Sequence, residues 1–228
     1  MKQSLKWLCF SVGLTVATPG WGQVEEKGMI QLPNPTYDGK VSVERAIKKR
    51  RTIRDFLPKP LSLAQLSQLL WSAQGITDES YGFRAAPSAG ALYPLDVYAV
   101  VGDRGVTGLQ SGVYGYIPAS HSLKLIRAGD SRNDVAAASL AQMWMAQAPV
   151  IFVITSEYER TTSKYGKRGI RYAHIEVGHV GQNIFLQAGA LGLGAGIVGA
   201  FHDDEVAKTI GAPELHNPLI VVPVGYKR

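Results

Sequence analysis

Two short segments hold residue types that could bind a charged, flat ligand. Arg50, Arg51 and Arg54 place three guanidinium groups within five residues, beside the hydroxyl of Thr52. Arginine is a planar fork that matches phosphate, and paired contacts of this kind are among the strongest hydrogen-bonded contacts in proteins. The second segment, residues 86–95, begins with small side chains that let backbone groups approach a ligand closely. Together the two segments predict a site for a phosphorylated planar cofactor.

A simpler interpretation of the arginine cluster stays open. Ser42 is a suitable cap for a helix predicted over residues 42–49, and the cluster follows directly after that helix. Basic residues at the C-terminal end of a helix compensate its dipole, which would also account for cations at this place. Three arginines are more than the dipole needs.

The elements that must position these segments are indicated by caps and periodicity. Ser62 and Gln65 form a capping box that begins a helix, and Gly75 is a natural end for it. Strands are predicted over residues 96–101, 113–117, 123–126, 149–155 and 219–224, where short apolar or β-branched runs occur. Further helices are predicted over residues 134–145, 172–191 and, capped by Asp203, up to Ile210. The charged stretch 157–170 is expected to be a loop or a short helical excursion, and a possible lid.

The helix predicted over residues 172–191 is the longest in the chain and carries many small residues. Gly178, Gly181, Ala188 and Gly189 would allow another helix to approach closely. That helix could belong to a second copy of the chain or to the same chain. Directly after it, residues 194–199 read Gly-x-Gly-x-x-Gly. Because this string follows a helix rather than a strand, we reject a dinucleotide-binding turn.

The two motifs carry a family resemblance. Arg-Arg-Thr-x-Arg-x-Phe at residues 50–56, followed by Pro-Ser-Ala-Gly-Ala-Leu-Tyr-Pro at 87–94, resembles the FMN-dependent nitroreductase superfamily. The second motif is closer to the SagB-type branch of azoline dehydrogenases than to the branch that reads Asn-x-Gln-Pro-Trp. The resemblance extends over residues 43–228. It implies an α+β fold with a mostly antiparallel central sheet flanked by helices, a long central helix and an intertwined homodimer.

The resemblance also implies FMN and the residues that hold it. Carried over to this sequence, the cofactor-binding positions are Arg50, Arg51, Thr52, Arg54, Pro87, Ser88, Ala89, Gly90, Leu92, Tyr93, Gln182, Val198, Gly199, Lys227 and Arg228. For the last two, a frayed basic tail is the alternative, since chain ends are often disordered. The implied activity is ping-pong hydride transfer from a donor such as NAD(P)H to a small acceptor of the nitroaromatic or quinone type.

In the SagB-type branch a Lys-Tyr pair is implicated in proton abstraction during oxidation of a peptide azoline to an azole. Lys164 and Tyr165 match the neighbourhood of that pair, and a lysine could act as a base there. A solvated loop lysine beside a packed tyrosine is the alternative. A hypothesis of another class is a flavin-binding module without turnover. No metal site is expected, because the five histidines show no ligand spacing.

The N-terminal segment differs from the rest. Lys2 and Lys6 precede a short apolar run, and Gly20 and Gly22 follow at positions that suit cleavage. We therefore expect a signal peptide over 1–22, an arm or linker over 23–41, one FMN-binding domain over 42–228, and export to the periplasm or beyond without a stable membrane anchor. A buried N-terminal helix is the alternative. The only cysteine, Cys9, lies in this segment, and no basic run predicts nucleic-acid binding.

Overall fold

A computed structural model describes residues 29–228. The predicted signal peptide and the first part of the predicted arm lie outside the described residues. Nine strands occur in this part of the chain: β1 Met29–Gln31, β2 Ile76–Asp78, β3 Phe83–Arg84, β4 Leu95–Val101, β5 Gly112–Ile117, β6 Ser122–Ala128, β7 Val150–Glu157, β8 Gly194–Ala195 and β9 His216–Gly225. Seven of them form an antiparallel sheet in the order β1-β6-β5-β4-β7-β9-β8, while β2 and β3 form a separate pair.

Helices cover both faces of this sheet. They are α1 Val43–Lys49, α2 Leu63–Gln74, α3 Arg132–Ala138, α4 Glu159–Tyr165, α5 Arg168–Ala190 and α6 Asp203–Ile210. On one face, α2 and α5 bury Leu66, Leu69 and Ile184 against the sheet. On the other, α3 and α6 bury Val135 and Val206. The expected α+β architecture, with a mostly antiparallel sheet between helices, is confirmed.

The local signals around α2 act as the sequence predicts. Ser62 Oγ accepts from the Gln65 amide at 3.1 Å, and Gln65 Oε1 accepts from the Ser62 amide at 2.9 Å. The helix ends at Gly75, whose extended backbone stops the helical hydrogen bonds. This cap begins the helix at a fixed residue, so its apolar face meets the sheet in one register.

The small residues of α5 serve two purposes. Ala188 is fully buried, and a Cβ atom at Gly181 would lie 3.2 Å from Ile220 Cδ1, so these two positions pack within the chain. A Cβ at Gly178 or Gly189 would meet nothing within 4 Å. Both interpretations of the small residues therefore have support. One pair packs against the sheet, and the other pair lies on an open face of the helix.

One predicted element needs correction. The helix predicted over 134–145 is wrong: α3 ends at Ala138, Leu140 and Ala141 have φ values of 54° and 55°, and a 3-10 turn follows at Met143–Gln147. The apolar spacing continues through this kink, which is why periodicity alone missed it. In the stretch 157–170 the second of the two expected forms, a short helical excursion, occurs: α4 spans Glu159–Tyr165 and is followed by Gly166 with a positive φ of 55°.

The arm is tied to the domain rather than loose over its described part. β1 pairs with β6 at the edge of the sheet. Ser67 Oγ donates to the Pro33 carbonyl, and Gln68 Oε1 accepts from the Thr36 amide at 2.8 Å. None of the helices within residues 29–228 has the length and apolar character needed to cross a membrane.

Candidate functional site

A pocket lined by cations lies where α1, α5 and β8 meet. It encloses about 360 Å³ and is called the basic pocket below. Five of its lining residues are basic and none is acidic. The lining residues are Val41, Arg45, Ala46, Lys49, Arg50, Arg51, Ile53, Phe185, Gly189, Gly192, Leu193, Gly194, Ala195 and Lys227. Uncompensated positive charge beside small residues is the chemistry of a phosphate site, since anions are held by donors that can approach closely.

The floor of the basic pocket is bare backbone. Thr52 forms a parallel bridge with Ala195 of β8, and the Ile53 amide donates to the Ala195 carbonyl at 2.9 Å. A Cβ atom at Gly194 would lie 2.7 Å from Ile53 Cγ1, so glycine is required for this close pairing. The Gly-x-Gly-x-x-Gly string thus begins in a strand, after a helix, and opens no helix of its own. This agrees with the rejection of a dinucleotide-binding turn.

Arg50 and Arg51 are held in different ways. Arg51 Nη1 donates to the carbonyls of Lys48 and Arg50 at 3.2 and 2.7 Å, so this side chain also covers the end of α1. The guanidinium of Arg50 lies 5.4 Å from the ring centre of Phe185 on α5. The dipole interpretation therefore applies in part to Arg51, whereas Arg50 belongs to the pocket wall.

The remaining predicted cations, Lys227, Arg228 and Arg54, do not all lie in the basic pocket. Lys227 lines the basic pocket and forms a bridge with Phe56, so the described C-terminus is paired rather than frayed. Arg228 lies outside the pocket and forms an exposed ion pair with Asp55 at 3.2 Å. Arg54 also lies outside the lining, with its guanidinium 5.8 Å from the Trp144 ring centre. Arg54 and Arg228 therefore do not join Arg50, Arg51 and Lys227 within one chain.

The second predicted segment, residues 87–93, is called the ledge below. Its backbone is strained, because Gly90, Ala91 and Tyr93 have φ values of 63°, 54° and 47°. Non-glycine residues rarely adopt such angles unless the surroundings fix them. The Tyr93 amide donates to Ser88 Oγ at 2.9 Å, and the Arg84 amide donates to Tyr93 Oη at 3.1 Å. These two hydrogen bonds hold the backbone of the ledge in place. Leu92 lies within the ledge and is half-buried.

A buried carboxyl group lies against the ledge. Glu176 of α5 is 2% exposed, and its Oε2 has no hydrogen-bond partner within residues 29–228. Its Oε1 accepts from Gln74 Nε2 at 3.3 Å, and Gln74 Oε1 accepts from Arg84 Nη1 at 3.2 Å. Burial raises the pKa of Glu176, while the nearby Ser88 hydroxyl and Arg84 oppose that rise. Glu176 lines a small cavity of about 160 Å³ together with Pro87, Ser88, Ala89, Tyr172, Ile175 and His179.

Lys164 and Tyr165 lie at the end of α4 and contact the ledge. A Cβ atom at Gly90 would lie 2.6 Å from Tyr165 Oη and 3.0 Å from Lys164 Nζ. The Tyr165 ring packs edge-on against Tyr172 with ring centres 5.0 Å apart. This lysine is exposed but is placed beside its tyrosine and above a strained glycine. The arrangement brings a possible base and a phenol to the ledge.

The basic pocket and the ledge are separate within one chain. Phe185 of α5 lines the first and Glu176 lines the cavity beside the second. Nine residues of helix correspond to roughly 14 Å along its axis. Gln182 lies between them on the exposed face of α5, and neither Val198 nor Gly199 lines either cavity. The basic pocket and the cavity beside the ledge therefore lie at two separate places along α5.

One further cluster was not indicated by the sequence. Asp96, Glu157 and His216 bring potential metal-ligand atoms within 4.8 Å of one another. The guanidinium of Arg160 lies 3.0 Å from Asp96 and 2.6 Å from Glu157, so both carboxylates already share one cation as their partner. The partners come from three strands and a helix, and their distance along the chain explains why no spacing pattern shows them.

Glu176 was also missed, although the sequence held a signal for it. On a helical wheel, residue 176 lies with the buried positions Ala173, Val177 and Val180. A carboxylate on such a stripe is an exception to the rule that charged groups stay exposed, and so it marks a site to inspect.

Comparisons with known proteins find relatives that match most of the chain. The model of the nitroreductase family matches residues 47–226. The candidate nitroreductase MJ1384 of Methanocaldococcus jannaschii is 46% identical over 198 residues, covering 87% of this chain and 96% of that protein. The microcin B17-processing protein McbC of Escherichia coli is 29% identical over 167 residues, covering 71% of this chain and 61% of McbC.

Solved structures show the same fold. A candidate nitroreductase from Ralstonia eutropha JMP134 superposes with a TM-score of 0.75 at 26% identity, covering 89% of this chain and 90% of that one. A chain of the E. coli microcin synthetase McbBCD complex, with truncated pro-MccB17 bound, gives 0.71 at 25% identity, covering 98% of this chain and 85% of that one. With the family match over most of the described domain, we conclude that this chain belongs to the nitroreductase family.

Proposed function

We propose that this protein is an FMN-dependent oxidoreductase that takes electrons from a donor such as NAD(P)H and passes them to a small nitroaromatic or quinone acceptor. The observation that carries the proposal is the basic pocket, with five cations and no acid around a bare-backbone floor. Bound FMN would supply hydride transfer, so the protein's share is placement, charge and shielding.

The residues present fit the phosphate of this cofactor. Arg50, Arg51 and Lys227 lie around one pocket, and within residues 29–228 nothing lies within 4 Å of a Cβ built on Gly189 or Gly192 of its lining. Charge-assisted hydrogen bonds from such groups are shorter and stronger than neutral ones. Arg54, Arg228, Val198 and Gly199, which the resemblance also assigned to the cofactor, lie outside the pocket lining and stay predictions.

We propose that two copies of the chain complete the site. Each chain holds a basic pocket and a ledge at separate places along α5, and the open face of that helix lies between them. Gly178 and Gly189 leave this face flat, and Ile175 exposes 51% of its surface there. A second α5 packed on this face would bring one chain's ledge towards its partner's basic pocket.

Gly178→Arg tests this pairing. Within residues 29–228 nothing lies within 4 Å of the new Cβ, so the fold should persist while the dimer dissociates. Light scattering should report a dimer for the wild type and for Glu214→Arg, an exposed control. A Gly178→Arg protein that stays dimeric and retains FMN would contradict the proposed interface.

The activity itself is tested on purified protein. Bound flavin should be visible in its absorbance spectrum and released on denaturation. NADH and NADPH oxidation should then depend on an added quinone or nitroaromatic. Flavin that no donor reduces would favour the alternative of a binding module without turnover, and protein without affinity for FMN would refute both.

The Lys164–Tyr165 pair favours a second candidate. Both side chains lie at Gly90, and the relative McbC is named for processing microcin B17. We therefore also consider oxidation of a peptide azoline to an azole, in which Lys164 would accept the proton beside Tyr165 and bound FMN would supply the hydride acceptor. Azole formation from an azoline peptide, lost in Lys164→Ala but with FMN retained, would select this candidate over small-molecule reduction.

We further propose that residues 1–22 are removed on export. N-terminal sequencing of protein recovered from the periplasm or medium should then begin close to Gln23. An intact Met1 in that material would refute the proposal, which is independent of the activity.

A further inference from the structure

The cluster around Arg160 joins α4 to the sheet. Arg160 Nη2 lies 3.0 Å from Asp96 Oδ2 on β4 and 2.6 Å from Glu157 Oε2 at the end of β7. Its Nε donates to the same Glu157 oxygen at 2.7 Å. His216, where β9 begins, lies 3.6 Å from Asp96 and 3.8 Å from Glu157. The Arg160 side chain thus ties the first turn of α4 to two neighbouring strands, β4 and β7, and His216 of β9 lies against the same two carboxylates.

A further donor of Arg160 reaches the ledge. Its Nη1 donates to the Tyr93 carbonyl at 3.2 Å. Tyr93 is the last strained residue of the ledge, with a φ of 47°, and the next residues enter β4. At the opposite end of α4, Lys164 and Tyr165 contact Gly90. The helix is therefore attached to the ledge at two points, and Arg160 and Lys164 lie on one face, four residues apart.

Charge and shape both fix this attachment. Burial lowers the pKa of Arg160, but Asp96 and Glu157 outweigh that effect, and the pKa lies above its ordinary value. The guanidinium therefore stays charged and paired. Its donors lie in one plane in a rigid fork, so the hydrogen bonds to Glu157 and the Tyr93 carbonyl, together with the ion pair to Asp96, restrict its orientation. A lysine ammonium could keep the charge but could not reproduce the fork.

We propose that Arg160 is a positioning residue that fixes α4 against the ledge and thereby keeps Lys164 and Tyr165 over Gly90. Asp96 and Glu157 hold its guanidinium, and the Tyr93 carbonyl links it to the ledge. Arg160 does not line the basic pocket. The proposal rests on the proposed function, because it assigns a role in the site where that chemistry would occur.

Kinetics of the holoprotein provide the first test. A misplacement of about 1 Å can cost about a hundredfold in rate. Arg160→Gln should therefore lower the kcat of azoline oxidation, the reaction in which Lys164 would act, about ten- to a hundredfold. FMN affinity should change less than kcat, because Arg160 does not line the basic pocket that would hold the phosphate. Arg160→Lys should recover part of kcat, and Arg168→Gln, an exposed arginine at the start of α5, should match the wild type. Equal kcat for Arg160→Gln and wild type would overturn the proposal.

A double-mutant cycle shows whether Arg160 acts through the pair. In a Lys164→Ala, Tyr165→Phe background, Arg160→Gln should have little further effect, because groups that act through one another are not additive. Full additivity of the two losses would overturn the proposal. If Arg160→Gln does not fold, Asp96→Asn is the second variant, since it weakens the same guanidinium and should show the same pattern.

Hydrogen exchange gives a readout that does not need turnover. Peptides covering residues 88–93 and 159–165 should exchange faster in Arg160→Gln than in wild type, while peptides from β7 and β9 should not. Unchanged exchange in both segments would overturn the proposal. If the wild-type protein binds FMN but reduces no acceptor, the proposed function fails, and this measurement still decides whether Arg160 positions α4.

Discussion

The basic pocket and the ledge lie near opposite ends of α5 and are built by opposite means. The pocket uses exposed cations on α1 and the segment after it, over the bare backbone of β8. The ledge uses strained backbone, with φ values of 47° to 63° at Tyr93, Ala91 and Gly90, fixed from behind by Ser88 and Arg84. Attracting an anion needs charge more than exact placement, whereas presenting groups to a reacting centre needs rigid support.

The strongest test of this difference between the basic pocket and the ledge removes charge from the pocket. Arg51→Ala should weaken FMN binding by about 1.5–3 kcal/mol, the worth of a charge-assisted contact. Affinity should also fall with added salt, because exposed charges are screened. Fluorescence titration of apoprotein measures both. Arg127→Ala is the control, since this arginine of β6 is exposed and does not line the pocket. Equal losses in the two variants would show that the pocket has no special role.

A second test concerns the backbone beside the pocket floor. A Cβ atom at Gly196 would lie 2.7 Å from Trp144 Cη2 and 2.8 Å from the Ile53 carbonyl oxygen. Gly196→Ala should therefore destabilise the fold by about 1–3 kcal/mol, as overpacking does. Urea unfolding measures this change. Gly199→Ala, where nothing lies within 4 Å, should be close to neutral. If Gly196→Ala is as stable as the wild type, the backbone beside the basic pocket can shift to admit the new Cβ, which would contradict this prediction.

Strain in the ledge can be separated from its contacts with α4. Gly90 and Gly82 have φ values of 63° and 66°, but only at Gly90 would a Cβ meet Lys164 and Tyr165. Alanine at either position should cost about 1–2 kcal/mol for the left-handed backbone. Gly90→Ala should also displace α4, which faster hydrogen exchange in residues 159–165 would reveal. Similar exchange in both variants would contradict close packing of the pair on the ledge.

The smallest effect is expected from the carboxyl beneath the ledge, and it depends on pH. Burial raises the pKa of Glu176 above its ordinary value of 4.5, so the folded chain keeps this proton to higher pH than the unfolded chain. The stability that this proton contributes is lost as pH rises through the raised pKa. Glu176→Gln should therefore gain stability relative to wild type as pH increases. If the free energies of unfolding of the two proteins change in parallel as pH rises from 4.5, this expectation is contradicted. Glu214→Gln, at an exposed glutamate, is the control.

Much of the fold could be predicted because its signals are local. The capping box at Ser62 and the stop at Gly75 depend on neighbouring residues, and both occur as expected. The break after Ala138 depends instead on backbone angles at Leu140 and Ala141, which apolar spacing does not encode. Local signals were enough to predict α2. The lack of such signals after Ala138 led to the wrong prediction of a helix over 134–145.

The candidate site divides in the same way. Arg50, Arg51 and Lys227 were predicted from motif and resemblance, and the structure places them around one pocket. Arg160 and Asp96 were missed because their pairing joins residues 64 positions apart along the chain through the sheet. Such contacts follow from strand register, which a single sequence specifies only through its buried face.

The two borders of the sheet restrict how the protein can aggregate. β1 has three residues and β8 has two, so neither offers a long row of free backbone groups to a neighbouring strand. β1 pairs with only the first part of β6, and the uncovered remainder carries Arg127, whose charge discourages strand addition. Growth of fibrils through this sheet is therefore disfavoured even when the protein is concentrated.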